Sequence, residues 1–138
     1  MSWNNPIPVA VCLVPVIDGG RRFLLGMIRA TAPGFGGLAY PGGYMEELED
    51  APVTASRELK EETTLDLPAS VWRTAYTRIT ENNRLLIFLV STESITGEQV
   101  RGLPATKEAS GYRLVEDGTE FVFPLHQQVN EEYFVQAS

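Results

Sequence analysis

Three carboxylates crowd into five residues of this chain. Glu58, Glu61 and Glu62 lie three and four positions apart in Arg57-Glu58-Leu59-Lys60-Glu61-Glu62, and Glu49 precedes them. A helix would gather the three on one side, one turn above another. Like charges at that spacing repel unless a cation neutralises them or protons are taken up. Whatever this stretch folds into must therefore provide for the charge. A divalent metal held beside a phosphate is the natural resolution, with a salt-bridged surface helix as the plainer alternative.

A helical wheel favours the first reading. With Glu58 at zero and about 100° per residue, Glu62 falls near +40° and Glu61 near −60°. Ala55 lies near +60°, Leu59 near +100° and Pro52 near +120°, while Ser56 and Lys60 take the far side. The carboxylates thus flank the apolar stripe rather than oppose it, along a seam beside a sheet and partly shielded from water. Shielding strengthens charge–charge interactions and raises the cost of leaving them unpaired. Arg57, one turn from Glu61, pairs with it or reaches Glu49, and its rigid fork suits bracing carboxylates for a metal.

The rest of the chain sets bounds. Its 138 residues suit one domain, taken as 1–138, and 43% apolar residues give it a real core. A formal charge of −7 argues against stable nucleic-acid binding. The same charge would repel a polyphosphate unless a metal or local basic residues reverse the field. No apolar run approaches the ~20 residues of a membrane span, and the start lacks the pattern of a signal peptide. The lone Cys12 sits in an apolar alternating run and reads as buried and inert. A reducing, cytoplasmic location is the expectation.

Along the chain, residues 1–7 read as a loose leader, with Trp3 available to cover a pocket or a neighbour. Pro8 to Ile17 reads as one central strand. Asp18-Gly19-Gly20 supplies a turn and Arg22 to Ile28 the hairpin partner. A loop from Ala32 to Gly37 leads to a short strand, Leu38 to Tyr40. Gly42-Gly43 then permits a backbone path that side chains would obstruct. Asp50 is the expected N-cap, with Pro52 tolerated in the first turn of a helix ending at Glu62 or Thr63. Val71 to Thr80 and Leu85 to Ser94 flank Glu81-Asn82-Asn83 as an antiparallel pair. Gly97 to Ser110 reads as loop, Tyr112 to Val115 as a strand, and Pro124 precedes a last helix through His126 to Phe134. Strands with segregated helices argue for an α+β or layered α/β/α domain.

The run from Gly43 to Leu65 resembles the Nudix box of the Nudix hydrolases. That box is a glycine, five residues, a glutamate, seven residues, then Arg-Glu-aliphatic-any-Glu-Glu-any-Gly-aliphatic. Gly43, Glu49, Arg57, Glu58, Leu59, Glu61, Glu62 and Leu65 fill their places over 23 residues, a specific match because charged types recur at fixed offsets. Thr64 stands where the family has glycine. That position closes the helix, where left-handed backbone is common, and a β-branched residue there would be strained by about 1 kcal/mol or more. Either the helix exit is remodelled or some metal affinity is lost.

The resemblance implies the family's α/β/α sandwich with a mixed sheet. It also implies Mg²⁺- or Mn²⁺-dependent hydrolysis of a nucleoside diphosphate linked to another moiety. Glu58 and Glu62 look like the main metal ligands, Glu61 a third ligand or a residue that positions water or takes its proton, and the backbone at Gly43 a carbonyl ligand. Relatives often use one more acidic residue in a later loop. Glu108 is the candidate here, as general base or extra ligand, against a solvated loop glutamate.

Selectivity must come from outside the helix. Arg22, Arg29 and Arg78 are candidates for phosphate or a terminal sugar, and Tyr44, Tyr40, Phe35 and Trp3 for stacking on a base. His126, at the start of the last helix, reads as a cap or packing residue before a catalytic one. ADP-ribose or a nucleotide sugar leads among substrates. A nucleoside triphosphate and a non-catalytic nucleotide-binding module remain the alternatives, and a homodimer is compatible.

Overall fold

The turn at Gly19-Gly20 sets the first hairpin. Both residues take positive φ, 57° and 77°, a conformation that glycine adopts without strain and that suits the twist of flanking antiparallel strands. In the computed structural model, which describes residues 4–137, this turn joins β2 (Pro15–Asp18) to β3 (Arg21–Arg29). The single strand expected from Pro8 to Ile17 is instead two. β1 (Ile7–Leu13) belongs to one sheet and β2 to the other, with the break at Val14. Pro15 supplies a physical reason, since it has no N–H with which to continue the first ladder. The Val14 carbonyl turns to the second sheet, where it accepts the Leu25 N–H at 3.0 Å.

The first sheet runs β5-β1-β7-β6, with β5 at Gly42–Tyr44, β6 at Trp72–Ile79 and β7 at Arg84–Ser91. β1 and β7 are parallel and the other neighbours antiparallel, so the sheet is mixed. The second sheet is built on β3. β2 and β4 (Leu38–Ala39) pair along one edge of β3, β9 (Ala109–Val115) along the other, and β8 (Ile95–Thr96) adds to β2 in parallel. The region read as loop from Gly97 contains a short helix, α2 (Gly97–Arg101). It starts with a capping box in which Thr96 and Gln99 bond each other's backbone N–H.

Helices α1 (Ala51–Thr63) and α3 (Pro124–Ala137) cover opposite faces of the first sheet. Period-two alternation along β1 explains how. Ala10 and Cys12 face one way and pack with Ala55 and Leu59 of α1, while Val11 and Leu13 face the other way and pack with Val129 and Tyr133 of α3. The architecture is an α+β fold of α/β/α sandwich type. Cys12 is buried as expected, its thiol donating to the Ala55 carbonyl, and burial pushes its pKa up. No helix among the described residues is long and apolar enough to cross a membrane. Trp3 lies outside the described residues.

Candidate metal and substrate site

The glutamate helix is set in place from its N-terminal side. Asp50 occupies the N-cap with extended backbone, but its side chain makes no capping bond. The bonds fall to Glu49, whose carboxylate accepts from the Thr54 hydroxyl at 2.6 Å and the Glu46 N–H at 3.1 Å. Arg57 then clamps Glu49 through Nε and Nη2, both at 2.8 Å, and donates Nη1 to Glu58 at 2.8 Å. Its Nη2 also reaches the Tyr44 carbonyl at 3.2 Å, tying α1 to the end of β5. The Arg57 and Thr54 bonds hold the Glu49 carboxyl down at about 2. The carboxylates in turn raise the Arg57 pKa.

β5 makes room for what α1 presents. A Cβ at Gly43 would collide with the Glu58 carboxylate, and one at Gly42 would strike the Ala10 carbonyl oxygen. The Gly42 N–H, left accessible, donates to Glu62 Oε1 at 3.0 Å. Glu62 is 2% exposed. Burial, followed by the charges of Glu108 and Glu58, pushes its carboxyl up to about 9 against the Gly42 bond that favours the charged form. Burial likewise raises Glu58, with Arg57 opposing.

The third member comes from the loop before β9. The Thr106 hydroxyl donates to the Glu62 carbonyl at 2.7 Å, and Tyr112, on β9, donates to the same oxygen at 3.0 Å. Thr106 Oγ1 receives the N–H groups of Glu108 and Ala109, and the Glu108 carbonyl accepts from Ala30. The loop is thereby pinned to the C-terminal turn of α1. Carboxylate oxygens of Glu58, Glu62 and Glu108 lie within 4.8 Å of one another. The set is all hard oxygen, and Arg57 reaches only Glu58 of the three. Such a set fits Mg²⁺ or Mn²⁺ and does not fit a thiolate-seeking metal.

Glu61 is not brought into this group. It sits on the outer flank of α1, its side chain 53% exposed, 3.5 Å from Arg57. Thr64, the residue out of pattern, keeps the left-handed exit at φ 72°, its N–H bonded to the Lys60 carbonyl, so the turn is not remodelled.

The carboxylates line one part of a cleft of about 830 Å³. Gly43, Tyr44 and Arg29 line it too; Arg29 stacks over Phe123 at 5.2 Å and donates to the Pro33 carbonyl. Arg22 and Arg78 are not brought to the cleft. Arg22 points to the Tyr133 hydroxyl, and Arg78 is engaged by Glu132 and Gln128 of α3. Tyr40 lines the cleft but is 2% exposed, its hydroxyl bonded to Asn130, so it is wall rather than stacking platform. Phe35 is exposed on its loop, outside the cleft wall. Sequence reasoning missed Arg84, which enters beside Tyr44 with Nε 3.3 Å from the tyrosine hydroxyl. No local signal marked it: the parallel pairing of Ile7 with Arg84, a long-range fact, carries it there.

The NUDIX domain family matches residues 6–133, nearly the whole chain. The chain belongs to the Nudix family. Among solved structures, the Nudix domain of Shewanella oneidensis NrtR complexed with ADP ribose superimposes with TM-score 0.78 at 15% identity, over 99% of this chain and 91% of that one. A Caenorhabditis elegans Ap4A hydrolase binary complex gives 0.72 at 12% identity, over 95% and 97%. A MutT/nudix family protein from Enterococcus faecalis gives 0.68 at 15% identity; 83% of this chain is matched, which spans only 45% of that protein. At these identities the likeness establishes the shared Nudix fold. No curated protein matches the chain in sequence.

Proposed function

We propose that this Nudix protein hydrolyses the pyrophosphate bond of a nucleoside diphosphate linked to another moiety, with ADP-ribose or a nucleotide sugar as the favoured class. The observation that carries the reading is the pairing of opposites in one cleft. Three mutually close carboxylates line it together with Arg29 and Arg84, which form no ion pair within 4.0 Å among the described residues. Arginines without a carboxylate partner are ready anion ligands, and their planar fork suits phosphate. A cleft of this volume suits a nucleotide-sized molecule.

Glu58 and Glu62 would hold Mg²⁺ or Mn²⁺, with the Glu108 carboxylate beside them. When bound, such an ion supplies Lewis-acid polarisation of phosphoryl oxygens and acidification of water. The chain's own groups do the rest. Arg57 fixes the Glu58 carboxylate against rotation while locking Glu49 beneath it. Arg29 and Arg84 hold the anionic substrate in the cleft. Glu108, with no ion pair and no hydrogen bond to its carboxylate among the described residues, takes the proton of the attacking water. Water adds to one phosphorus, the bridging P–O bond breaks, and the products are a nucleoside monophosphate and the phosphorylated remainder.

The test is a Mg²⁺-dependent screen across ADP-ribose, nucleotide sugars, dinucleoside polyphosphates and nucleoside triphosphates, with products followed by chromatography. Turnover of the first two classes ahead of the others is expected. Turnover of triphosphates alone would replace this reading with a triphosphate pyrophosphohydrolase. Metal and nucleotide binding with no turnover would leave a binding module.

A further inference from the structure

His126 is the only histidine of the chain and stands in the first turn of α3, 7% exposed. Its Nδ1 accepts the Tyr40 backbone N–H at 3.1 Å. A ring nitrogen that accepts carries no proton, so the neutral imidazole keeps its hydrogen on Nε2. The rings of Tyr40, Phe88, Phe121 and Phe123 surround it, with centroids 5.1 to 6.4 Å away. Burial, with Arg29 nearby, lowers its pKa to about 3, so the ring stays neutral at working pH.

Nε2 has no hydrogen-bond partner among the described residues. Yet no side-chain nitrogen or oxygen shut off from solvent lacks a partner among the described residues. The Nε2–H therefore opens onto the cleft that His126 lines. The wall beside it is apolar. Val9 and Val11 project from the same face of β1, Leu86 stands opposite Val9 on β7, and Leu125 adjoins.

The separation from the carboxylates has an upper bound. The Tyr40 N–H meets His126 at 3.1 Å and the Gly42 N–H meets Glu62 at 3.0 Å. Two residues of extended chain span at most about 7 Å, which keeps Nδ1 within about 13 Å of the Glu62 oxygen. A nucleoside diphosphate bridges such a gap between its phosphates and its base.

We propose that the Nε2–H of His126 donates to an acceptor atom, a ring nitrogen or carbonyl oxygen, of the substrate's nucleobase, which lies against Val9, Val11 and Leu86. His126 is then a specificity-determining residue. This deepens the nucleotide reading above and rests on it. The neutral ring gives a phosphate no charge to meet; the positive charge nearby is Arg29 on Phe123, which would take the phosphates and leave the ring to the base. A sugar would bring several hydroxyls to a wall that offers one donor. A flat base with an exposed acceptor fits both the apolar surface and the single fixed N–H.

The lone histidine makes the test clean. In ¹⁵N-histidine-labelled, metal-free protein, the imidazole resonances are expected to show the Nε2–H tautomer, unchanged from pH 5 to 8. Adenosine or guanosine monophosphate is expected to shift Nε2, and ribose 5-phosphate to leave it in place. Equal shifts from ribose 5-phosphate, or binding of the nucleotides with no shift, or no nucleotide binding at millimolar concentration, would each overturn the proposal. His126→Asn keeps an acceptor for Tyr40, while its shorter amide no longer places a donor at the Nε2 position. It is expected to weaken nucleotide binding about tenfold, the scale of one lost hydrogen bond, and to spare ribose 5-phosphate binding and Tm. His126→Leu removes both functions and is expected to lower Tm as well. If His126→Asn lowers Tm as much as His126→Leu, with no selective loss of nucleotide, the residue is structural only. Neither measurement needs metal or turnover, so a protein that binds nucleotide through His126 but cleaves nothing would sink the hydrolase reading alone.

Discussion

Glu62 and Glu49 show one residue type driven in opposite directions by its surroundings. Glu62 is buried beside two other carboxylates, and its folded pKa of about 9 lies above the ordinary 4.5. A raised carboxyl contributes most to stability below pH 4.5, and that contribution fades as pH climbs toward 9. Glu49, held at about 2, works the other way: its contribution is whole above pH 4.5 and fades as pH falls toward 2. Metal-free protein is therefore expected to lose Tm between pH 5 and 8, and Glu62→Gln to flatten that slope. Calorimetry in chelator checks it, and parallel profiles for the two proteins would contradict it. The same Glu62→Gln change is expected to lower Mg²⁺-dependent turnover at least ~100-fold, the range for lost catalytic metal placement. Near-normal turnover would remove Glu62 from the ligand set. At this scale the sequence was informative wherever spacing on one element decided the outcome, as for Glu58 and Glu62. It was silent on Arg84 and on the open face of His126, because those depend on partners from distant parts of the chain.

At the scale of elements, the end of α1 carries an avoidable cost. Thr64 holds φ 72° in an exposed turn, where a β-branched residue is strained by about 1 kcal/mol. Thr64→Gly is expected to raise Tm by about 3 °C in a thermal melt, with metal affinity unchanged. A several-fold rise in metal affinity would mean that the strain is transmitted to Glu62. β5 makes the converse case. Gly43→Ala leaves strand pairing possible but drives a methyl group into the Glu58 carboxylate. Turnover is expected to fall by at least tenfold while the fold, followed by far-UV circular dichroism, survives. The hairpin at Gly19-Gly20 was legible because turns are written locally, whereas Asp50 takes the expected N-cap position of α1 without the capping bond that pointed to it. The break at Val14 was not, since a continuous apolar run does not say which sheet each residue will join. α2 hid inside a stretch dense in loop-forming residues, although Thr96 and Gln99 form the spacing that starts a helix.

For the molecule as a whole, β1 is the shared partition between two apolar clusters. Alternate residues of one strand serve both, so the two clusters are expected to melt together. Leu59→Ala, on the α1 side, is expected to cost 2–5 kcal/mol. It should do so without splitting the transition: in a Trp3→Phe background, Trp72 fluorescence, which then reports the α1 cluster, and far-UV circular dichroism are expected to share one midpoint. Two separated midpoints would show that the halves melt independently.

The bare backbone at Gly42 and Gly43 has a consequence for engineering. Grafting α1 alone onto an unrelated sheet would import its charges without the hollow that receives them, and the host strand's side chains would push the glutamates outward. A transplant succeeds only if this two-residue gap travels with the helix, which makes the smallest portable unit a strand and a helix together.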